Sequence, residues 1–132
     1  MNEYSLAVAI AEKFHQGQMY GKKPYMYHLE MVANSVAEEP DERLMTIAML
    51  HDILEDTPCT EFVLQGLFED NVVSAVVALS KTDGYGDESY EEYIKRVKSN
   101  PLAKIVKMHD TLCNLRESLV RRDMKRVQKY SK

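Results

Sequence analysis

The sequence predicts an all-α fold, a compact bundle of about six to seven helices, and three observations carry that expectation. Apolar residues recur at three- and four-residue intervals along most of the 132 residues. The five glycines and four prolines fall between those runs rather than inside them. The composition, 45% hydrophobic and 29% charged with no tryptophan, is that of a globular, helix-favouring chain. No repeat, low-complexity tract or linker divides it, so residues 1–132 read as one domain, long enough to bury a core without disulfides.

The elements follow in order. Leu6, Ala9, Ile10, Lys13 and Phe14 keep a 3.6-residue spacing, as do Leu29, Val32, Ala33 and Val36, with "GQMYGKKPY" expected as the loop between them. Pro40 breaks the second run, and Asp41 is a candidate N-cap for a third helix. There Leu44, Ile47, Ala48 and His51 fall at i, i+3, i+4 and i+7, so His51 continues a buried stripe. Thr60 is expected to cap a helix carrying Phe62, Val63 and Leu67. Val72 to Leu79 fits a helix or a buried strand, and is assigned as helix. After the turn-rich "KTDGYGD", Ser89 and Glu92 form a capping box ahead of Tyr90, Tyr93, Ile94 and Val97, with the two tyrosines read as core. Pro101 opens a long helix whose apolar face is expected at Leu102, Ile105, Val106, His109, Leu112, Cys113 and Leu119, with Asp110 and Asn114 at its edge.

The net charge is −4, unevenly spread. From Arg116 to Lys132 seven basic residues stand against two acids, so the remainder is strongly acidic. Such a tail suits an anionic ligand, nucleotide phosphate or nucleic acid, or is the solvated end of a last helix. Cys59 and Cys113 lack CxxC spacing and read as packing residues of a reducing compartment. With no basic leader and no long apolar run, a cytoplasmic protein is expected, with no membrane contact.

The chemistry concentrates in "AMLHDILEDT", Ala48 to Thr57. A histidine at a core position, an adjacent aspartate and the doublet Glu55–Asp56 would gather uncompensated charge at one helix end unless a cation joined them. The candidates are His28, His51, Asp52, Glu55, Asp56, Asp110 and Asn114, among which two histidines and two carboxylates can supply a ligand set. That mixed set leaves coordination positions open, as a hydrolytic Mn, Fe, Zn or Mg site requires and a closed structural zinc site does not. His15 is a further available ligand or acid/base group, whereas His109 reads as a satisfied core residue. The signatures HExxH, GxxxxGK[ST] and GxSxG are absent.

The order "HQGQ" (His15 to Gln18), "PYMYH" (Pro24 to His28), "AMLHDILEDT" and "AKIVKMHDTLCNLRE" (Ala103 to Glu117) resembles the HD-domain phosphohydrolases. The resemblance is greatest to the hydrolase domain of the RelA/SpoT enzymes and to the small single-domain alarmone hydrolases, and it runs from about residue 3 to residue 130. It implies His28, His51, Asp52 and Asp110 as ligands of one divalent metal, usually Mn(II), with Mg, Fe, Zn or Ni as alternatives. It implies Glu55 and Asp56 as the acidic doublet of hydrolysis. Asn114, Lys104, Lys107 and Tyr130 match residues beside the site or on the nucleotide, and Arg126 is a further cation for the phosphates. The implied reaction is hydrolysis of guanosine 3′-diphosphate compounds.

Three departures bear on the substrate. The family's Arg–Lys pair between Gln18 and Pro24, which helps hold guanine, is replaced by "MYGKK", with Met19 and Tyr20 in the leading places. "KTDGYGD" differs from a "TDDK"-like segment, leaving Lys81 as a candidate phosphate contact, and the chain stops soon after Tyr130 where relatives continue. An HD-domain nucleotidase or phosphodiesterase acting on another nucleotide is therefore the second enzymatic reading. The rival from another class is a nucleotide-sensing or nucleic-acid-binding module with a vestigial site.

Overall fold

The computed structural model describes residues 2–81 and 88–130, with side chains described through residue 121. Its helices are α1 (Glu3–Phe14), α2 (Tyr25–Val36), α3 (Arg43–Leu50), α4 (Ile53–Asp56), α5 (Glu61–Gln65), α6 (Asp70–Leu79), α7 (Tyr90–Lys98) and α8 (Pro101–Tyr130). Two short strands, β1 (Met19–Tyr20) and β2 (Lys23–Pro24), lie between α1 and α2. The all-α expectation holds, and Val72 to Leu79 is helix within α6 despite its valines. Packing decides there, because Val72, Val73, Ala75, Val76, Ala78 and Leu79 are all buried.

α3 is the centre of the bundle, packed against α1, α2, α6 and α8. Its sequence explains the position: Leu44 and Thr46 to Leu50 are buried on every side, the pattern of an enclosed helix rather than an amphipathic one. Asn2 caps α1 through Ser5 N–H, Thr60 caps α5 through Val63 N–H, and Ser89 caps α7 through Glu92 N–H. Asp41 is not the cap of α3. Glu42 holds that position without a side-chain bond, while Asp41 accepts from Arg43 N–H and pairs with the Arg43 guanidinium.

Several expected faces are corrected. Leu64 is the buried residue of α5, and Phe62 lies 84% exposed, because five residues are too few to turn a whole stripe inward. Tyr93 is buried and donates to Leu79 C=O, whereas Tyr90 is exposed. In α8 the innermost positions are Ala103, Val106, Asp110 and Cys113, and Leu112 and Leu119 face outward. His109 is half-buried between Ser35 Oγ (2.6 Å) and Glu39 Oε1 (3.1 Å), a polar clasp of α2 to α8.

The expected loop "GQMYGKKPY" contains an antiparallel hairpin pairing Tyr20 with Lys23. Gly21, at φ 61°, supplies the left-handed residue that a two-residue hairpin turn requires. Tyr20 and Tyr27 then tie this region to α8 through hydrogen bonds to Asn114 and Glu117. Among the described residues no helix is long and apolar enough to cross a membrane.

Candidate functional site

Two neighbouring residues on an unbroken helix point about 100° apart, which would send His51 and Asp52 in different directions. The chain avoids this by breaking between α3 and α4. His51 is the C-cap of α3, and Asp52, at φ −106° and ψ 0°, is the N-cap of α4. Both side chains therefore turn to one centre, with His51 Nε2 and Asp52 Oδ2 3.0 Å apart.

His28 reaches the same centre from the first turn of α2, and Asp110 from the buried stripe of α8. His28 Nε2 lies 3.0 Å from Asp110 Oδ1 and 3.9 Å from Asp52 Oδ2; His51 Nε2 lies 3.4 Å from Asp110 Oδ1. One ligand atom each from His28, His51 and Asp110 falls within a 4.8 Å cluster, all three residues buried.

The tautomer of His51 identifies what this cluster accommodates. Its Nδ1 is 2.5 Å from Ala48 C=O, which can only accept, so Nδ1 carries a hydrogen. In the neutral ring Nε2 is then a lone pair facing carboxylate oxygens. It is buried and makes no well-aligned hydrogen bond. Two acceptors at that distance need a proton or a cation between them, and histidine nitrogens with carboxylates are a donor set suited to a divalent ion. A backbone carbonyl on the far nitrogen is the usual orientation device for such a ligand.

Without an ion the charges settle on one another. Burial opposes protonation of His51, but the Asp52 charge and the contact with Asp110 outweigh it and hold the imidazole well above its ordinary range. Burial alone would raise Asp52; His51 and a hydrogen bond from Tyr25 prevail and bring it down to about 2. Asp110 is likewise held well below the carboxylate range, against its burial, by His28 and His51.

Glu55 and Asp56 stand exposed at the rim, on the single turn of α4. The Lys81 backbone N–H donates to Glu55 Oε1, so Lys81 touches the acid through its main chain. Partial desolvation at the rim first, then the neighbouring carboxylates, push both acids up, against the Lys81 amide at Glu55 and against His15 at Asp56. Lys107 Nζ is 3.8 Å from Asp110 Oδ2, and Asn114 Nδ2 donates to Asp110 Oδ1 at 3.3 Å. Lys104 is exposed and, six residues before Asp110, sits about 120° round the helix from it. The side chains of Arg126 and Tyr130, with the basic tail, lie outside the described residues.

Tyr25 is the contact that sequence reasoning missed. Its hydroxyl donates to Asp52 Oδ2 at 2.5 Å and lies 3.5 Å from Asp56 Oδ2, while its ring stacks on His15. Gln18 holds that arrangement, 2.8 Å from His15 Nδ1 and donating to Asp56 C=O at 2.8 Å. The available signal was its position three residues before His28, on the same helical face. His15 thus supports Tyr25 and is not brought into the His28–His51–Asp110 cluster.

No protein-family model matches the chain. Curated relatives do. A guanosine-3′,5′-bis(diphosphate) 3′-pyrophosphohydrolase of Haemophilus influenzae is 38% identical over 76 residues, 56% of this chain and 11% of that protein. The bifunctional (p)ppGpp synthase/hydrolase SpoT of Escherichia coli is 37% identical over 79 residues, 58% of this chain and 11% of its own length. A probable GTP pyrophosphokinase of Mycobacterium leprae is 30% identical over 118 residues, 83% of this chain and 15% of that one. The chain therefore spans about a tenth to a seventh of the length of these relatives. Among solved structures, a metazoan ortholog of SpoT that hydrolyses ppGpp superposes with a TM-score of 0.77 at 25% identity, over 91% of this chain and 72% of that one.

Proposed function

We propose that this chain, a RelA/SpoT-like HD-domain protein, is a metal-dependent nucleotide phosphohydrolase, and that its substrate is guanosine 3′,5′-bis(diphosphate), cleaved at the 3′-pyrophosphate. The observation that carries the reading is the buried convergence of His28, His51 and Asp110, with the lone pair of His51 Nε2 aimed at carboxylates. The names of the relatives support the substrate. We take all 132 residues as one HD domain, working in the cytoplasm.

In this reading His28, His51, Asp52 and Asp110 hold one Mn(II). When bound, a divalent cation supplies Lewis acidity toward phosphate and makes water a better nucleophile near neutral pH. Glu55 takes or orients the proton of the attacking water, for which its raised pKa suits it better than an ordinary surface glutamate. Asp56, also raised, is placed to return a proton to the leaving group. Lys107 offsets phosphate charge beside Asp110, with Lys104, Arg126, Asn114 and Tyr130 as further contacts.

A second reading, cleavage of a different nucleotide, is favoured by one observation: Tyr20 already occupies Asn114 Oδ1, at 2.7 Å. The test is chromatography of a nucleotide panel incubated with metal-stripped protein and added Mn(II). GDP and pyrophosphate from guanosine 3′,5′-bis(diphosphate) are the expected products. Cleavage of another nucleotide alone would replace the substrate, and no cleavage anywhere in the panel would favour a sensor.

A further inference from the structure

We propose that Tyr20 is a positioning residue for the metal site, fixing the Asn114 amide so that its NH2 group holds Asp110 Oδ1 toward the two histidines. The inference rests on the cation reading given above and adds to it a residue for which the resemblance supplies no such part. Asp110 Oδ1 approaches both rings, 3.0 Å from His28 Nε2 and 3.4 Å from His51 Nε2. Asn114, one turn on, donates to that oxygen from Nδ2 at 3.3 Å.

An amide is nearly symmetric in shape, so its partners decide which end faces the carboxylate. A carboxylate only accepts, so Asp110 takes the NH2 end, and Tyr20 holds the amide in that orientation. Its hydroxyl donates to Asn114 Oδ1 at 2.7 Å. A reversed amide would set a carbonyl oxygen against a carboxylate oxygen. The other oxygen, Oδ2, faces Lys107 Nζ at 3.8 Å, so both ends of the Asp110 carboxylate have a cationic or donor neighbour.

Tyr20 also lies over a second member of the cluster. Its ring stacks on His28 with centroids 4.6 Å apart and planes 17° from parallel, limiting how far that imidazole can tilt. The side chain arrives there because Gly21 turns the hairpin and the Tyr20–Lys23 pairing sets its register. One residue thus touches His28 through its ring and acts on Asp110 through Asn114. Partners that orient metal ligands typically alter metal affinity by about 10- to 100-fold when removed.

The test uses the full chain and reads Mn(II) dissociation constants from the electron paramagnetic resonance of free Mn(II), together with thermal unfolding of the metal-free forms. Tyr20→Phe keeps the stacked ring and removes only the hydroxyl. It should weaken Mn(II) binding about tenfold while the metal-free unfolding midpoint stays near that of the wild type. Asn114→Ala should weaken binding to a similar degree, and the double variant should be no weaker than Asn114→Ala alone, because one route is being cut twice. A Tyr20→Phe dissociation constant within twofold of wild type, or full additivity in the double variant, would overturn the proposal and leave the metal reading standing. Wild-type protein that binds no Mn(II) would overturn both.

Discussion

At the residue scale, the assignment of Glu55 as proton acceptor makes a separable claim. Glu55→Gln preserves shape and leaves His28, His51 and Asp110 untouched, so Mn(II) binding should persist while turnover falls by about 10²- to 10⁴-fold. Binding by calorimetry and turnover by chromatography read the two effects independently, and a fully active variant would remove Glu55 from the mechanism. The residue types of the site were legible in the sequence: a core-facing His51 followed by an aspartate and two more acids is costly unless a cation compensates it. The phase of α8 was not legible. Leu112 and Leu119 attract a hydropathy-based face toward themselves, yet both lie exposed, and the buried stripe Ala103, Val106, Asp110, Cys113 includes the acid and leaves out the histidine. An aspartate on an inner stripe is the signal that was available, and a reading by hydrophobicity passes over it.

At the element scale, the site depends on where helices stop. The break at Asp52 brings adjacent side chains to one centre, and sequence periodicity, which averages over turns, does not mark such a break. The end of α6 is held differently: Arg96 donates to the carbonyls of Val77, Ala78 and Ser80 and pairs with Glu88. The Arg96 guanidinium thus covers the C-terminal carbonyls of a helix whose last residues lead to Lys81 and its contact with Glu55, with Val77 C=O accepting from Ser80 N–H as well. Arg96→Ala should therefore cost about 1.5–3 kcal/mol in urea unfolding, the range for hydrogen bonds from a charged group. A change below about 0.5 kcal/mol would show that the carbonyls find solvent instead. The hairpin at Tyr20 was read as plain loop because two-residue strands are too short to show alternation, although Gly21 followed by Lys22 marked a turn.

At the scale of the whole molecule, the buried cluster links metal, proton and stability. Asp52 titrates at about 2 in the metal-free fold against an ordinary 3.8, and Asp110 is lowered as well. Their contribution is fully present above the ordinary carboxylate value and is lost as pH falls through the depressed one. His51 is raised, so its contribution is complete below its ordinary 6.5 and is lost as pH rises through the raised value. Metal-free protein should accordingly unfold more readily on both sides of a mildly acidic plateau. Thermal unfolding midpoints across pH 2 to 9 check this, and the variant Asp52→Asn should flatten both limbs.

The most direct measurement is turnover of guanosine 3′,5′-bis(diphosphate) by metal-stripped protein as Mn(II) is titrated in, with bound metal counted in parallel. Turnover that starts near zero and saturates as one equivalent binds, and that is lost along with binding in His51→Ala, is the predicted result. Full turnover after stripping, or one bound equivalent that survives His51→Ala, would contradict the account.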